Sequence, residues 1–352
     1  MVTRYHRQTL LSQIGEVGQR RLGAARVLLV GCGALGTVIA DQLVRAGVGF
    51  VRLCDRDLVE LTNLQRQVLF DESDAAAGLP KAVAAANRLA RINSTVAIKP
   101  HVVDVHSGNI ESLLDGIDLA LDGTDNVETR YLLNDACVKR NVPWVYGACV
   151  GTTGRVMGIM PGGTARGGDA GGSPCLRCLF PDPPGPGDLA TCDTAGVLGA
   201  ASNVVASLQV AEAMKILLAD ASAATELTTI DLWPVRVRTI STRGARREEC
   251  QACGLRRFEF LDVRPGATAT SLCGRNTVQV RPPAANRATI DLKAITQRLS
   301  TAGDCEQTSF FVRCALRESG LTLTLFPDGR GLVHGTSDVA LARSVYARFV
   351  GS

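Results

Sequence analysis

Residues 26–55, "RVLLVGCGALGTVIADQLVRAGVGFVRLCD", constrain the fold more than any other stretch. An apolar strand "RVLLVG" (26–31) enters the glycine loop "GCGALG" (31–36), followed by a helix (37–47) and a second strand "FVRLCD" (50–55). A strand, helix and strand in so short a span form a parallel pair joined by a crossover helix. The rhythm continues with a helix at 81–93, a strand at 96–103, a short helix "IESLLDG", a strand at 117–124, a helix at 128–141 and a strand at 143–151. Alternation of this kind predicts an α/β fold with a Rossmann-like, doubly wound parallel or mixed sheet.

The loop itself has a chemistry. Gly31 permits the tight turn, Gly33 lets a phosphate approach the backbone, and Gly36 allows the helix to pack closely on the strand. Phosphate oxygens would face the N–H groups and positive dipole of the helix start. Asp55, ending the next strand, is placed to accept hydrogen bonds from a ribose. These residues alone describe an adenosine nucleotide and do not choose between NAD and ATP, and a tight turn without ligand has the same pattern.

The segments downstream make the choice. "DRDLVELTNLQRQVLF" (55–70) supplies Asn63, Arg66 and Gln67, "GLPK" places Lys81 at a helix start, and "LDGTDNVETR" puts Asp125 and Asn126 just past a strand. Each charge alone reads as a solvated surface group. Together, at the carboxyl edge of an open sheet, the cations suit a triphosphate and the carboxylate a Mg²⁺ ion. An NAD(P)-dependent oxidoreductase is the alternative, and it leaves "LTNLQRQ" without a role.

Twelve cysteines follow no apolar leader, which points to the reducing cytoplasm. "CLRC" (Cys175, Cys178) and "CQAC" (Cys250, Cys253) have the spacing of a four-cysteine Zn²⁺ site; a redox pair would explain one of them but not both. Cys192, in "ATCDTAGV", precedes a helix and reads equally as a thiol nucleophile or as a bland small residue near a cap. A net charge of +4 on 352 residues, with no basic run, gives no reason to expect nucleic acid or a membrane surface. The apolar run 195–219 contains Asn203, Gln209, Glu212 and Lys215 and reads as a buried helix.

Between the cysteine pairs, residues 161–190 are rich in glycine and proline and read as a long loop. A boundary is expected after "CQACG", dividing 1–254 from a small α+β domain at 255–352. In that domain the sequence predicts strands "TVQVRP", "SFFVRCAL", "LTLTLFP" and "GRGLVHG", with helices "LKAITQRLSTAG" and "DVALARSVYARFV".

"RYHRQ", "GCGALG", "LCDRD", "LTNLQRQ", "GLPK", "LDGTDN", "CLRC", "TCDTAGV" and "CQACG" occur in one order over residues 3–254. In this they resemble the ubiquitin-activating-enzyme-like adenylyltransferases of the ThiF/MoeB/HesA type. The resemblance implies that MgATP binds the glycine loop with Asp55 on the ribose, and that Asn63, Arg66 and Lys81 contact the phosphates while Asp125 binds Mg²⁺. It implies a homodimer in which Arg7 reaches the partner's triphosphate, and structural zinc on Cys175, Cys178, Cys250 and Cys253. The substrate it implies is a small ubiquitin-like sulfur-carrier protein ending in Gly-Gly, and the family's loop cysteine, here Cys192, is catalytic only in some members. Two features depart from the pattern: the added "TARGGDAGG" before "CLRC", and the C-terminal segment. "FLDVRPG" (260–266) resembles the start of a rhodanese sulfurtransferase, yet Cys273, Cys305 and Cys314 lack the glycine-rich active loop, so a domain that docks the carrier or a sulfur donor is expected instead.

Overall fold

The computed structural model describes residues 4–162, 172–184, 192–224, 226–262, 269–272, 276–281 and 290–350. The expected insert "TARGGDAGG" (apart from its last residue), Cys273 and the side chain of Cys192 lie outside the described residues. The chain divides into two units, Met1–Val263 and Arg264–Ser352.

In the first unit, β1 (Arg26–Val30), β2 (Phe50–Asp55), β3 (Ala97–Val102), β4 (Leu119–Asp122), β5 (Trp144–Val150), β6 (Thr153–Ile159), β7 (Glu226–Leu232) and β8 (Val235–Ser241) form one sheet. Their order is β3-β2-β1-β4-β5-β6-β7-β8. The five strands from β3 to β5 are parallel, and β6 to β8 continue the sheet antiparallel. The alternation along β1 serves two cores. Val27 and Leu29 face the helices Ala34–Ala46, Lys81–Ile92 and Gly199–Leu218, while Leu28 and Val30 face the helix Val127–Arg140. A central parallel strand buried on both faces therefore reads as an unbroken apolar run.

The sequence pattern did not disclose β6. Its Gly154 and Gly158 let the helix Gly199–Leu218 lie against the sheet. A Cβ on Gly154 would stand 2.1 Å from Val205 Cγ2, and one on Gly158 would stand 2.6 Å from Glu212 Oε1. That helix is long and apolar enough to cross a membrane by composition. Here it is a core helix, with Val205, Ala206, Gln209, Val210 and Ala213 buried.

The first unit runs beyond "CQACG", because Phe258, Phe260 and Leu261 pack on its core, with the Phe260 ring 5.1 Å from that of Tyr131. The second unit holds β9 (Ala269–Leu272), β10 (Thr277–Val280), β11 (Gly303–Gln307), β12 (Val312–Leu316), β13 (Thr322–Leu325) and β14 (Gly331–His334). They form an antiparallel sheet in the order β11-β12-β13-β14-β10-β9. The helices Leu292–Leu299 and Val339–Phe349 cover one face, packing Ile295, Leu299, Ala342 and Val345 on Val278, Val312, Leu323 and Val333. "PDG" (327–329) lies in the turn that joins β13 to β14 as an antiparallel pair. β11 was not expected: the helix pattern ran on to Gly303, which instead starts a strand, where a Cβ would stand 2.1 Å from Ala315 O.

Candidate active site

Open α/β sheets bind ligands beyond the carboxyl ends of their strands, at the point where the order of connection reverses. Here that point lies between β1 and β4. The three glycines of the loop do different things. Gly31 has φ +91°, and a Cβ on it would stand 2.6 Å from Gly123 O. A Cβ on Gly36 would stand 2.0 Å from Gly31 O, so helix and strand touch through bare backbone. Around Gly33 the nearest atom to such a Cβ is Gln67 Nε2 at 3.9 Å. Gly31 and Gly36 are therefore packing positions, whereas Gly33 opens onto space. It is also the N-cap of Ala34–Ala46, with no side-chain cap hydrogen bond among the described residues, so an anion can take the first N–H groups of that helix.

The expected polar residues lie at the end of β2, in the loop that follows it and at the start of the helix Lys81–Ile92. Asp55 accepts the Cys32 N–H at 2.6 Å and the Asp57 N–H at 2.7 Å, which ties the end of β2 to the glycine loop. Burial pushes its carboxyl above the ordinary range, and the Lys81 charge opposes that rise. Lys81 is 3% exposed, with Nζ 3.2 Å from Asp57 Oδ2. Asn63 is buried, and its Oδ1 accepts the Glu60 N–H at 3.1 Å, holding the turn Leu61–Asn63. Arg66 is half-buried and donates through Nη1 to Thr62 O at 2.9 Å. Gln67 is buried beside Gly33, and its Oε1 has no hydrogen-bond partner among the described residues. A buried acceptor left without a donor marks a place where something else binds.

Asp125 stands exposed beyond β4. The side chain of Asn126 caps the helix Val127–Arg140, accepting the Thr129 N–H at 2.9 Å. Beneath them is a pair that the sequence pattern did not single out. Asp122 is fully buried and meets Arg130 Nε at 2.7 Å, while Arg130 also donates to Thr124 O and Gly147 O. Asp122 Oδ1 accepts the Thr124 N–H and hydroxyl at 2.9 and 2.7 Å, and Gln209 donates to Asp122 O at 2.8 Å. The pair fixes the loop that presents Asp125. Its signal was an acid closing a strand with an arginine one helical turn into the next element. Arg7 is exposed on the helix His6–Thr9, and Cys192 begins the helix Cys192–Ala195.

The structure brings the four cysteines of the two C-x-x-C pairs together, all sulfurs within 4.8 Å of one another. Cys175 Sγ lies 4.0 Å from Cys178 Sγ and 3.6 Å from Cys250 Sγ, and Cys178 Sγ lies 3.3 Å from Cys253 Sγ. Four thiolates at about 2.3 Å around tetrahedral zinc stand about 3.8 Å apart, so this set could hold that ion. The frame is built to match. Asn134 accepts the Leu176 N–H at 3.0 Å, Arg177 bridges Asp135 and Glu259 at 3.4 and 2.6 Å, and Arg246 donates to Cys253 O at 3.0 Å. None of the ten cysteines whose side chains are described is in a disulfide.

Residues 5–252 match the model of the ThiF family. The chain is 42% identical to the sulfur carrier protein ThiS adenylyltransferase of Bacillus subtilis (strain 168), over 352 residues that cover 100% of both proteins. It is 42% identical over 252 residues to the sulfur carrier protein adenylyltransferase of Thermus thermophilus, covering 71% of this chain and 90% of that one. The adenylyltransferase and sulfurtransferase MOCS3 of Danio rerio is 38% identical over 279 residues, covering 78% of this chain and 58% of that relative. Among solved structures, E. coli MccB with ATP superposes with a TM-score of 0.57 at 22% identity, covering 72% of this chain and 74% of that one. That likeness establishes a shared fold.

Proposed function

The chain belongs to the ThiF family, and from that premise we propose that it adenylylates the C-terminal glycine of a small ubiquitin-like sulfur-carrier protein ending in Gly-Gly. A carboxylate oxygen of the carrier attacks the α-phosphorus of ATP. The bond from that phosphorus to the bridging oxygen breaks, and pyrophosphate leaves. The carboxylate is already ionised at neutral pH, so the protein has no proton to remove. Catalysis then consists of holding the two reactants in line and neutralising charge as it moves to the leaving group.

The observation that carries this reading is the contrast within the glycine turn. Gly31 and Gly36 are closed by backbone, Gly33 is open with the buried Gln67 beside it, and Lys81 is buried on Asp57 just past the end of β2, where its charge acts on Asp55. The backbone at Gly33 takes phosphate oxygens, Lys81, Arg66 and Asn63 hold the triphosphate, and Asp55 and Gln67 orient the nucleoside. Asn126 supports the rim at Asp125. Asp125 would hold Mg²⁺, an ion that supplies charge neutralisation to the phosphates. In a homodimer, Arg7 of each subunit serves the other's triphosphate. Cys175, Cys178, Cys250 and Cys253 hold structural Zn²⁺, and Cys192 is offered to the activated carrier. The second unit docks the carrier or a sulfur donor, and the compartment is the cytoplasm. The three relatives named above are adenylyltransferases, and none of them favours the nicotinamide alternative.

Intact-mass analysis tests the reaction. A ThiS-type carrier incubated with the enzyme, ATP and Mg²⁺ gains the mass of an AMP group, and a carrier lacking its last glycine does not. A carrier that stays unmodified under these conditions overturns the proposal.

A further inference from the structure

Two cysteines of the second unit stand directly opposite each other in the antiparallel pair β11–β12, Cys305 facing Cys314. Opposed residues share a face of the sheet, with Cα atoms about 4.5–5.5 Å apart. That spacing falls inside the range of about 4.4–6.8 Å that a disulfide spans. The two sites are not alike. β11 is an edge strand of the sheet and Cys305 is half-exposed on it. Cys314 is fully buried on the next strand, its thiol donating to Leu299 O at 3.6 Å. An accessible thiol with a second thiol behind it is the arrangement of an attacking and a resolving cysteine.

We propose that Cys305 and Cys314 form a dithiol modification site that is oxidised to a cross-strand disulfide by a low-molecular-weight disulfide such as oxidised glutathione. The Cys305 thiolate attacks one sulfur of the oxidant, forming a mixed disulfide and expelling one glutathione thiolate. The Cys314 thiolate then attacks the Cys305 sulfur and expels the second. Two protein thiols are oxidised, one glutathione disulfide is reduced to two thiols, and the two protons released go to the departing thiolates. Burial and the neighbouring Cys314 thiol push the Cys305 thiol up to about 12, so little thiolate is present at neutral pH and the exchange is slow unless the oxidant is in excess. The product closes a ring through the hairpin and fastens the edge strand to the sheet.

The full chain is incubated with excess oxidised glutathione without denaturant, residual thiols are alkylated, and the protein is digested with trypsin. Cleavage after Arg298, Arg313 and Arg317 puts the two cysteines on separate peptides, 299–313 and 314–317. The expected product joins those peptides through one disulfide. Cys314→Ser halts at a glutathione adduct on Cys305, and Cys305→Ser leaves Cys314 unmodified. Reduced peptides only, a linked pair that appears only after denaturation, or a Cys314→Ser protein without the adduct each overturn the proposal.

Discussion

Gly33 and Gly36 sit within one turn, yet substitution should separate them. An alanine methyl at Gly36 would stand 2.0 Å from Gly31 O, which is backbone and cannot swing aside. Gly36→Ala should therefore cost about 1–3 kcal/mol or more of stability, seen as a lower melting temperature. An alanine methyl at Gly33 meets nothing closer than 3.9 Å. Gly33→Ala should melt as the wild type does and bind ATP at least about tenfold more weakly, by calorimetry. A drop in melting temperature for Gly33→Ala, with ATP affinity intact, would reverse the roles assigned to the two glycines. Arg66 and Asp125 are not buried, so Arg66→Ala and Asp125→Ala should fold normally. Each should lose about 10²–10³-fold in adenylation rate, the cost of removing one group that meets developing charge. Near-normal rates in either variant would place the phosphate site elsewhere. At this scale the sequence was legible where residue type carries chemistry, as with the four cysteines that the fold brings together. It was silent on Asp122 and Arg130, because a buried ion pair and a solvated one are written with the same letters.

Among the elements, the apolar runs of β1, β2 and β4 and the periodic helices between them could be read directly, because one period fits each kind of element. β6 could not: its glycines are there for the helix packed on them, a tertiary cause that a local pattern does not contain. β11 was hidden in a similar way, by a helix that stops at Leu299 so that Gly303 can meet Ala315. The spacing of the two cysteine pairs predicted a single four-cysteine site, and the fold brings their sulfurs together. Four sulfurs from two distant segments join the helix Leu176–Leu179 to the chain after β8. Metal analysis should find about one zinc per chain, since four thiolates complete a tetrahedral shell. Stripping the metal, or Cys250→Ser, should lower the melting temperature of the protein. A metal-free chain that melts unchanged would show that the cysteines are only core residues.

On the scale of the whole molecule, the family match covers residues 5–252, while the Bacillus subtilis relative aligns across the second unit as well. If that unit docks the carrier, a chain ending at Val263 should keep its KM for ATP. Its KM for the carrier should rise by about tenfold or more, the equivalent of about 1.4 kcal/mol of lost contact. A truncated chain with both constants unchanged would remove the docking role. The central claim, that the open glycine turn holds an ATP whose α-phosphorus a carrier carboxylate attacks, is tested most directly by isotope exchange. Labelled pyrophosphate should enter ATP when the enzyme, Mg²⁺ and a carrier ending in Gly-Gly are all present, and should cease when the terminal glycine is removed. The account is contradicted by exchange that proceeds without a carrier, or by none with any carrier of that kind.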